Sequence, residues 1–129
     1  MTDIIYMKTI QTDNAPKAVG PYSQAIETDQ FVFCSGQIGI DPKTGLLIDG
    51  IENQTKQAMT NITNVLTAAG TDLDRIVKTT IFLADIHDYK AVNEVYSSYF
   101  TEHKPARSTV QVAALPLGAL VEIEVIAAK

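Results

Sequence analysis

The chain has 129 residues, of which 46% are apolar, so it can form one domain with a substantial core. Ten basic residues against fifteen acidic ones give a formal charge of −5, which opposes the general attraction of phosphate backbones to basic proteins. Nucleic acid is therefore a disfavoured partner.

The sequence contains no predicted export signal or membrane span. The amino-terminal segment MTDIIYMKTI lacks a basic region followed by a long apolar run, and no later segment approaches the roughly 18 apolar residues of a spanning helix. We therefore expect a cytoplasmic protein. The single cysteine, Cys34, excludes an internal disulfide, and no group of cysteine and histidine residues has metal-ligand spacing.

The first third of the chain predicts short strands and turns. Strands are expected at residues 7–12 and 25–28, and a stronger one begins at Phe31 in FVFCSG, with residues 28–30 as the hairpin turn. The run DPKTG at 41–45 predicts a loop, because proline and glycine interrupt regular structure.

Two helices and a buried strand are predicted next. Apolar residues recur at helical spacing over residues 51–69, Gly70 supplies a C-terminal cap, and residues 76–83 form a buried strand. Asp85 or Asp88 is the expected N-cap of the second helix. The apolar stripe of that helix consists of Tyr89, Val92, Tyr96, Tyr99 and Phe100.

Two strands, at about 107–113 and 119–128, close the chain around the turn LPLG. The order of elements predicts an α+β fold, with both helices on one face of a mixed sheet of about six strands. Since there is no repeat, linker or low-complexity tract, residues 1–129 are predicted to form a single domain.

The last strand predicts a second apolar surface. Its odd-numbered residues, from Val121 to Ala127, point to one face, while Ile126 and two glutamates point to the other. Two helices cover only one side of a sheet, so the uncovered side needs a partner, and self-association is the economical one. We therefore expect a homo-oligomer.

Arg107, Glu122 and Glu124 are the charged residues of these closing strands. If the strands pair as an antiparallel hairpin, Arg107 and Glu122 are about four residue steps, or roughly 13 Å, apart. That distance is too long for an ion pair within the hairpin. Pattern alone leaves two interpretations open: charges at a solvated rim or subunit interface, or a carboxylate-binding Arg107 with Glu122 as a base or water-positioning group.

Other polar residues also have two interpretations. Asn93 lies on the inward stripe of the second helix, where it either satisfies a backbone group or lines a pocket. Ser35 and Gly36 end a strand, where glycine serves a turn or allows backbone to approach a ligand. Tyr22 is typical of a packed tyrosine in a turn, and Cys34 of a small buried hydrophobe. Without a nucleophile elbow, Walker loop or dinucleotide fingerprint, these residues support only a small-anion site.

Five segments carry a family resemblance: NAPKAVGPYSQAI, FVFCSGQIGIDPKTG, QTKQAMTNITNVLTAAG, IVKTTIFLADIHDYKAVNEVYSSYF and PARSTVQVAALPLGALVEIEVIA. Together they span nearly the whole chain and resemble the RidA (YjgF) family of reactive intermediate deaminases. The resemblance implies a chorismate-mutase-like α+β fold, assembled as a homotrimer with three pockets between subunits. It also implies hydrolysis of 2-imino acids such as 2-iminobutanoate and 2-iminopropanoate, released by pyridoxal-phosphate enzymes, to 2-keto acids and ammonia without a cofactor.

By this resemblance, Arg107 binds the substrate carboxylate and Glu122 activates water. The resemblance places five further residues in the pocket: Tyr22, Ser35, Gly36, Asn93 and Thr109. Thr109 stands where many members have cysteine, so a mechanism through that thiol is not expected here. Two alternatives remain open, a regulatory trimer that binds small carboxylates and an endoribonuclease or translation inhibitor, and the acidic composition weighs against the second.

Overall fold

A mixed sheet with two helices on one face forms the structure, a computed structural model that describes residues 4–129. Residues 1–3, the start of the amino-terminal segment that was predicted to lack an export signal, lie outside the described residues. The strands are β1 Lys8–Ile10, β2 Ala25–Glu27, β3 Phe31–Cys34, β4 Gln37–Ile38, β5 Ile40–Asp41, β6 Leu46–Leu47, β7 Ile76–Leu83, β8 Ala106–Gln111 and β9 Val121–Ala128. The helices are α1 Ile51–Ala68 and α2 Tyr89–Ser97. Neither helix is long and apolar enough to cross a membrane.

The main sheet has the order β1-β2-β3-β9-β7-β8, and β4 continues beside β9 where β3 ends. Among the strand pairs of residues 4–129, only β7 and β8 are parallel, so the sheet is mixed as predicted. The hairpin turn at 28–30 and the strand at 76–83 are also confirmed. Strands β5 and β6 form a separate hairpin around the predicted 41–45 loop.

The predicted hairpin between the last two strands is wrong, because β7 lies between β8 and β9. Strand β7 leads through α2 to β8, and a strand-helix-strand connection brings two strands together in parallel. Burial explains the choice of neighbours. Strand β8 (ARSTVQ) has no buried residue and suits a sheet edge, whereas every second residue of β9 is buried and needs covered neighbours.

Both helices pack on the same face of the sheet, as predicted. The buried residues of α1 include Ala58, Met59, Ile62, Val65 and Leu66. Gly70 ends this helix with φ 78°, and the N–H of Thr71 donates to Leu66 O, which is the glycine cap that the sequence indicated. Before α2, the Asp85 carboxylate accepts from the N–H of His87, whereas Asp88 makes no capping bond.

The opposite face of the sheet is left uncovered by the part of the chain that the structure describes. It presents Phe33 and Val110, both exposed, beside the partly buried Phe82 and Ile126. This is the second apolar surface that the alternation in β9 predicted. Cys34 lies on the covered side, where burial raises the pKa of its thiol to about 12, so its predicted role as a small buried residue is confirmed.

Candidate functional site

Arg107 and Glu122 lie on opposite faces of the sheet. Residues directly opposite each other in neighbouring strands point to the same face. Arg107 is opposite Thr79, which is fully buried beneath the helices and accepts a hydrogen bond from the Tyr96 hydroxyl at 3.0 Å. Glu122 is opposite Phe82, on the uncovered face. The two charges therefore do not pair within a chain, and the reason is their opposite orientation rather than the hairpin spacing predicted above.

Strand β8 and helix α2 together form an arginine half-site, which consists of Arg107, Tyr89 and Tyr96. The Nη2 of Arg107 donates to the Tyr89 hydroxyl at 3.0 Å, and its guanidinium carbon lies 5.0 Å from the centre of the Tyr96 ring. The aromatic faces support the guanidinium by a cation–π interaction. Among residues 4–129, no carboxylate forms an ion pair with Arg107. Its remaining N–H donors are therefore available to an anion from outside the chain.

A cavity of about 600 Å³ opens beside Arg107. Half-buried Asn93 lines it, as the pocket interpretation of that residue predicted. Lys90 and Lys104 line it as well, against one acidic residue, Glu94, so the cavity carries an excess of positive charge. A small carboxylate would be attracted to such a cavity.

Thr109 follows Arg107 on the same face of β8, opposite Ile81. Its hydroxyl is buried and makes no hydrogen bond within the described part of the chain. A buried hydroxyl without a partner is costly, so such groups are found with a ligand, a water molecule or another chain.

The glutamate half-site is built by β9 and the segment between β3 and β4. A Cβ atom added to Gly36 would lie 2.8 Å from both Cδ and Oε2 of Glu122, so only glycine leaves room for this carboxylate. Burial raises the pKa of Glu122, and the charge of Glu124 raises it further. The carboxyl group therefore keeps its proton to a higher pH than an exposed glutamate does.

A second cavity, of about 500 Å³, adjoins this carboxylate. Gly36 and Tyr22 line it. Tyr22 is 52% exposed, so the interpretation of a packed turn tyrosine was wrong. Ser35 does not line the cavity, because its Oγ donates to the carbonyl of Ser23 at 2.6 Å and holds the segment that leads into Gly36.

The seven predicted site residues thus form two groups. Arg107, Asn93 and Thr109 lie on the helix face, and Tyr22, Gly36 and Glu122 belong to the other cavity, with Ser35 beside them.

Sequence reasoning missed the two lysines of the first cavity and Val19 and Leu117 of the second. A signal existed for Lys90, which precedes Asn93 by three residues and so shares its helix face.

The fold and the two half-sites define a small α+β protein with two cavities, one beside Arg107 and one beside Glu122. A family model described as Endoribonuclease L-PSP matches residues 12–129. The chain is 50% identical over 124 residues to the mouse 2-iminobutanoate/2-iminopropanoate deaminase, covering 95% of this chain and 92% of the relative. The chain belongs to the RidA family.

Solved structures share the fold over nearly the whole chain. A Rid family protein, YyfA from Yersinia pestis, is 54% identical with a TM-score of 0.94, covering 96% of this chain and 100% of that one. TdcF from E. coli, solved with bound serine, is 41% identical with a TM-score of 0.91, covering 95% and 98%. These matches confirm the predicted family and its α+β fold.

Proposed function

We propose that this protein hydrolyses reactive 2-imino acids, including 2-iminobutanoate and 2-iminopropanoate, to 2-keto acids and ammonia. The observation that carries the proposal is the pair of half-sites: Arg107, which has no acidic partner among residues 4–129, beside one cavity, and Glu122 with a raised pKa beside another. The proposal agrees with the name of the mouse relative, a 2-iminobutanoate/2-iminopropanoate deaminase. The imines would come from pyridoxal-phosphate enzymes, and we place the reaction in the cytoplasm.

The active assembly in this proposal is a homotrimer with pockets between subunits. Two features of the chain support it. The uncovered sheet face exposes Phe33 and Val110, which a second copy would bury. Arg107 and Glu122 face away from each other, so a substrate that contacts both must lie between the Arg107 of one subunit and the Glu122 of the next.

Arg107 binds the substrate carboxylate through its two parallel N–H donors, which fixes the position of C2. Asn93 and Thr109 supply further hydrogen-bonding groups on the same side, and the buried Thr109 hydroxyl gains a partner there. Tyr22 and the backbone at Ser35 and Gly36 close the other side. The substrate is thereby oriented with C2 toward Glu122.

Glu122 acts as the base. It takes a proton from a water molecule whose oxygen forms a bond to C2 of the protonated imine, and the C=N π electrons move to nitrogen. The resulting carbinolamine receives the proton from Glu122 on its amino nitrogen. The C–N bond then breaks with its electron pair leaving on ammonia, the C=O bond forms from the hydroxyl oxygen, and the hydroxyl proton returns to the Glu122 carboxylate, which passes it to ammonia or solvent. A carboxyl group with a raised pKa suits both steps, because a pKa nearer the operating pH lets the same group accept a proton in the first step and donate it in the second.

The test generates 2-iminobutanoate with a threonine dehydratase and follows the formation of 2-ketobutanoate. We expect the protein to accelerate it. Arg107→Ala should lower kcat/KM about 10- to 100-fold, since charge-assisted hydrogen bonds contribute about 1.5–3 kcal/mol. Glu122→Gln should lower kcat about 10²- to 10⁴-fold, the usual contribution of a general base. Full activity of Arg107→Ala would refute its role in carboxylate binding.

Mixing the two inactive variants tests the shared site. If each site takes Arg107 from one subunit and Glu122 from another, random co-assembly of Arg107→Ala and Glu122→Gln subunits restores about a quarter of the sites. If both residues act within one chain, no mixture regains activity. Unfolding and refolding the variants together, with each variant refolded alone as the control, makes this comparison.

The two other functions predict different outcomes. A regulatory trimer would bind 2-ketobutanoate without accelerating imine hydrolysis. An endoribonuclease, as the family description has it, would cleave RNA, and that cleavage would persist in Glu122→Gln only if it used another site. The net charge of −5 disfavours the RNA-cleaving alternative.

A further inference from the structure

Leu117 has a backbone conformation that leucine rarely adopts. Its φ is 58°, and it is the only non-glycine residue with positive φ in residues 4–129. The next residue, Gly118, has φ 71°, so two consecutive residues are left-handed. For a bulky residue this conformation is an outlier, because Cβ crowds the backbone. Yet the Leu117 side chain is 72% exposed, so burial within the chain does not compensate for the strain.

The loop around Leu117 is anchored at both ends. Before it, the N–H of Val112 donates to Leu83 O at 2.9 Å. After it, the N–H of Leu120 donates to Oε1 of Gln54 at 2.8 Å, and Ala119 is buried. The tip of the loop is therefore held in a fixed position, four residues before the start of β9, the strand that carries Glu122.

Leu117 and Glu122 line the same cavity of about 500 Å³. Val19 lines it as well and is 92% exposed. The cavity therefore combines two exposed aliphatic side chains with two carboxylates, those of Asp13 and Glu122. Strained residues persist where they serve a site, and an observed outlier of this kind is a basis for a functional hypothesis. An occupant that suits the cavity has a polar reacting centre and an aliphatic substituent.

We propose that Leu117, together with Val19, contacts the side chain of the substrate and sets a preference for 2-imino acids with larger aliphatic side chains. This inference rests on the proposed deaminase function and specifies its substrate class. With C2 held near Glu122, the substituent on C2 extends along the same cavity toward Leu117. The leucine-derived imine has three more carbon atoms than the alanine-derived one, and a single methylene in an apolar pocket changes kcat/KM by about 10-fold or more.

The experiment compares two imines, derived from alanine and from leucine. An L-amino-acid oxidase generates each one in the presence of catalase, and semicarbazide competes with the deaminase for it. We expect a kcat/KM at least about 10-fold higher for the leucine imine. Leu117→Asn should lower the leucine-to-alanine ratio about 10-fold, because asparagine adopts the left-handed conformation readily and removes the apolar contact. The matched control is Leu46→Asn, a 68% exposed leucine outside the cavity, which should leave the ratio unchanged.

Three outcomes overturn the inference: a wild-type ratio near one, an equal loss on both imines in Leu117→Asn, or a change in assembly mass of that variant by light scattering. The last would make Leu117 a subunit contact instead. If the wild type accelerates neither imine, the deaminase proposal itself fails. If it hydrolyses the alanine imine without preferring the leucine imine, only the role of Leu117 fails.

Discussion

Two glycines, three residues apart, should respond to alanine in opposite ways. At Gly36 the added Cβ would lie 2.8 Å from the end of the Glu122 side chain. At Gly39 it would lie 2.6 Å from Cα of Gln54, which is backbone of α1. A side chain can rotate away from such a clash, whereas a packed helix cannot. Gly36→Ala should therefore damage activity, and Gly39→Ala should damage stability.

The expected magnitudes follow from these contacts. In Gly36→Ala, moving Glu122 off its rotamer costs about 0.5–1.5 kcal/mol, while restricting the unfolded chain stabilises by about 0.4–1 kcal/mol, so the two effects nearly cancel. A carboxylate displaced by about 1 Å loses about 100-fold in kcat/KM. In Gly39→Ala, overpacking against backbone costs about 3 kcal/mol, which lowers Tm by about 10 °C for a chain of this length.

Thermal unfolding at one protein concentration and the 2-ketobutanoate assay measure both effects on each variant. Activity of Gly36→Ala within about threefold of the wild type would show that the position of Glu122 does not matter to the reaction. A drop in Tm of Gly36→Ala equal to that of Gly39→Ala would show that the Glu122 side chain is not free to rotate.

Further predictions concern pH and buried polar groups. Because the pKa of Glu122 is raised, activity should fall on the acid side of the pH profile at a higher pH than an ordinary glutamate would give. Glu124→Gln should move this fall to lower pH, because it removes a charge that raises the pKa of Glu122. An unmoved profile would contradict the effect of Glu124 on Glu122. The folded-state pKa of Glu122 is raised, so the protonated Glu122 side chain contributes stability that is lost as the pH rises through that pKa. Glutamine cannot ionise, so Glu122→Gln should increase Tm at neutral pH but not at acidic pH. Asn61 is fully buried, and its side-chain amide donates to two backbone carbonyls of the β4–β5 segment. Asn61→Ala should therefore lower the unfolding free energy, measured in urea, by about 1–3 kcal/mol. Asn64→Ala is the control and should cost less, because the hydrogen bond that the Asn64 side-chain amide donates is exposed to solvent.

Side-chain alternation made much of this fold predictable. In β9 the buried residues and the residues of the uncovered face alternate as the sequence indicated, because a strand places successive side chains on opposite faces. The helix α1 and its glycine cap were also readable, since periodicity and left-handed glycine are local features. Strands of two residues, such as β4, are too short to show a period.

Strand pairing was not readable in the same way. The prediction joined β8 to β9 because neighbours in sequence usually pair, but β7 provides the buried partner that β9 requires. The same error hid the opposite orientation of Arg107 and Glu122. The conformation of Leu117 was also unpredictable, because leucine is among the residues least expected at positive φ.

Strand β7 contributes no group to either half-site, yet it is hydrogen-bonded to both strands that carry them. Thr79 pairs with Arg107 and sets the position of Arg107 along the strand direction, and Phe82 does the same for Glu122. Thr79 and Phe82 are three residues apart in β7, which is about 10 Å at the rise of a strand. The offset between the two charges is thus an internal dimension of each chain, independent of how copies meet. Insertion or deletion of one residue in β7 between Thr79 and Phe82 would shift Arg107 relative to Glu122 in every copy at once. This buried strand should therefore tolerate a change of length as poorly as the site tolerates substitution of Arg107 or Glu122.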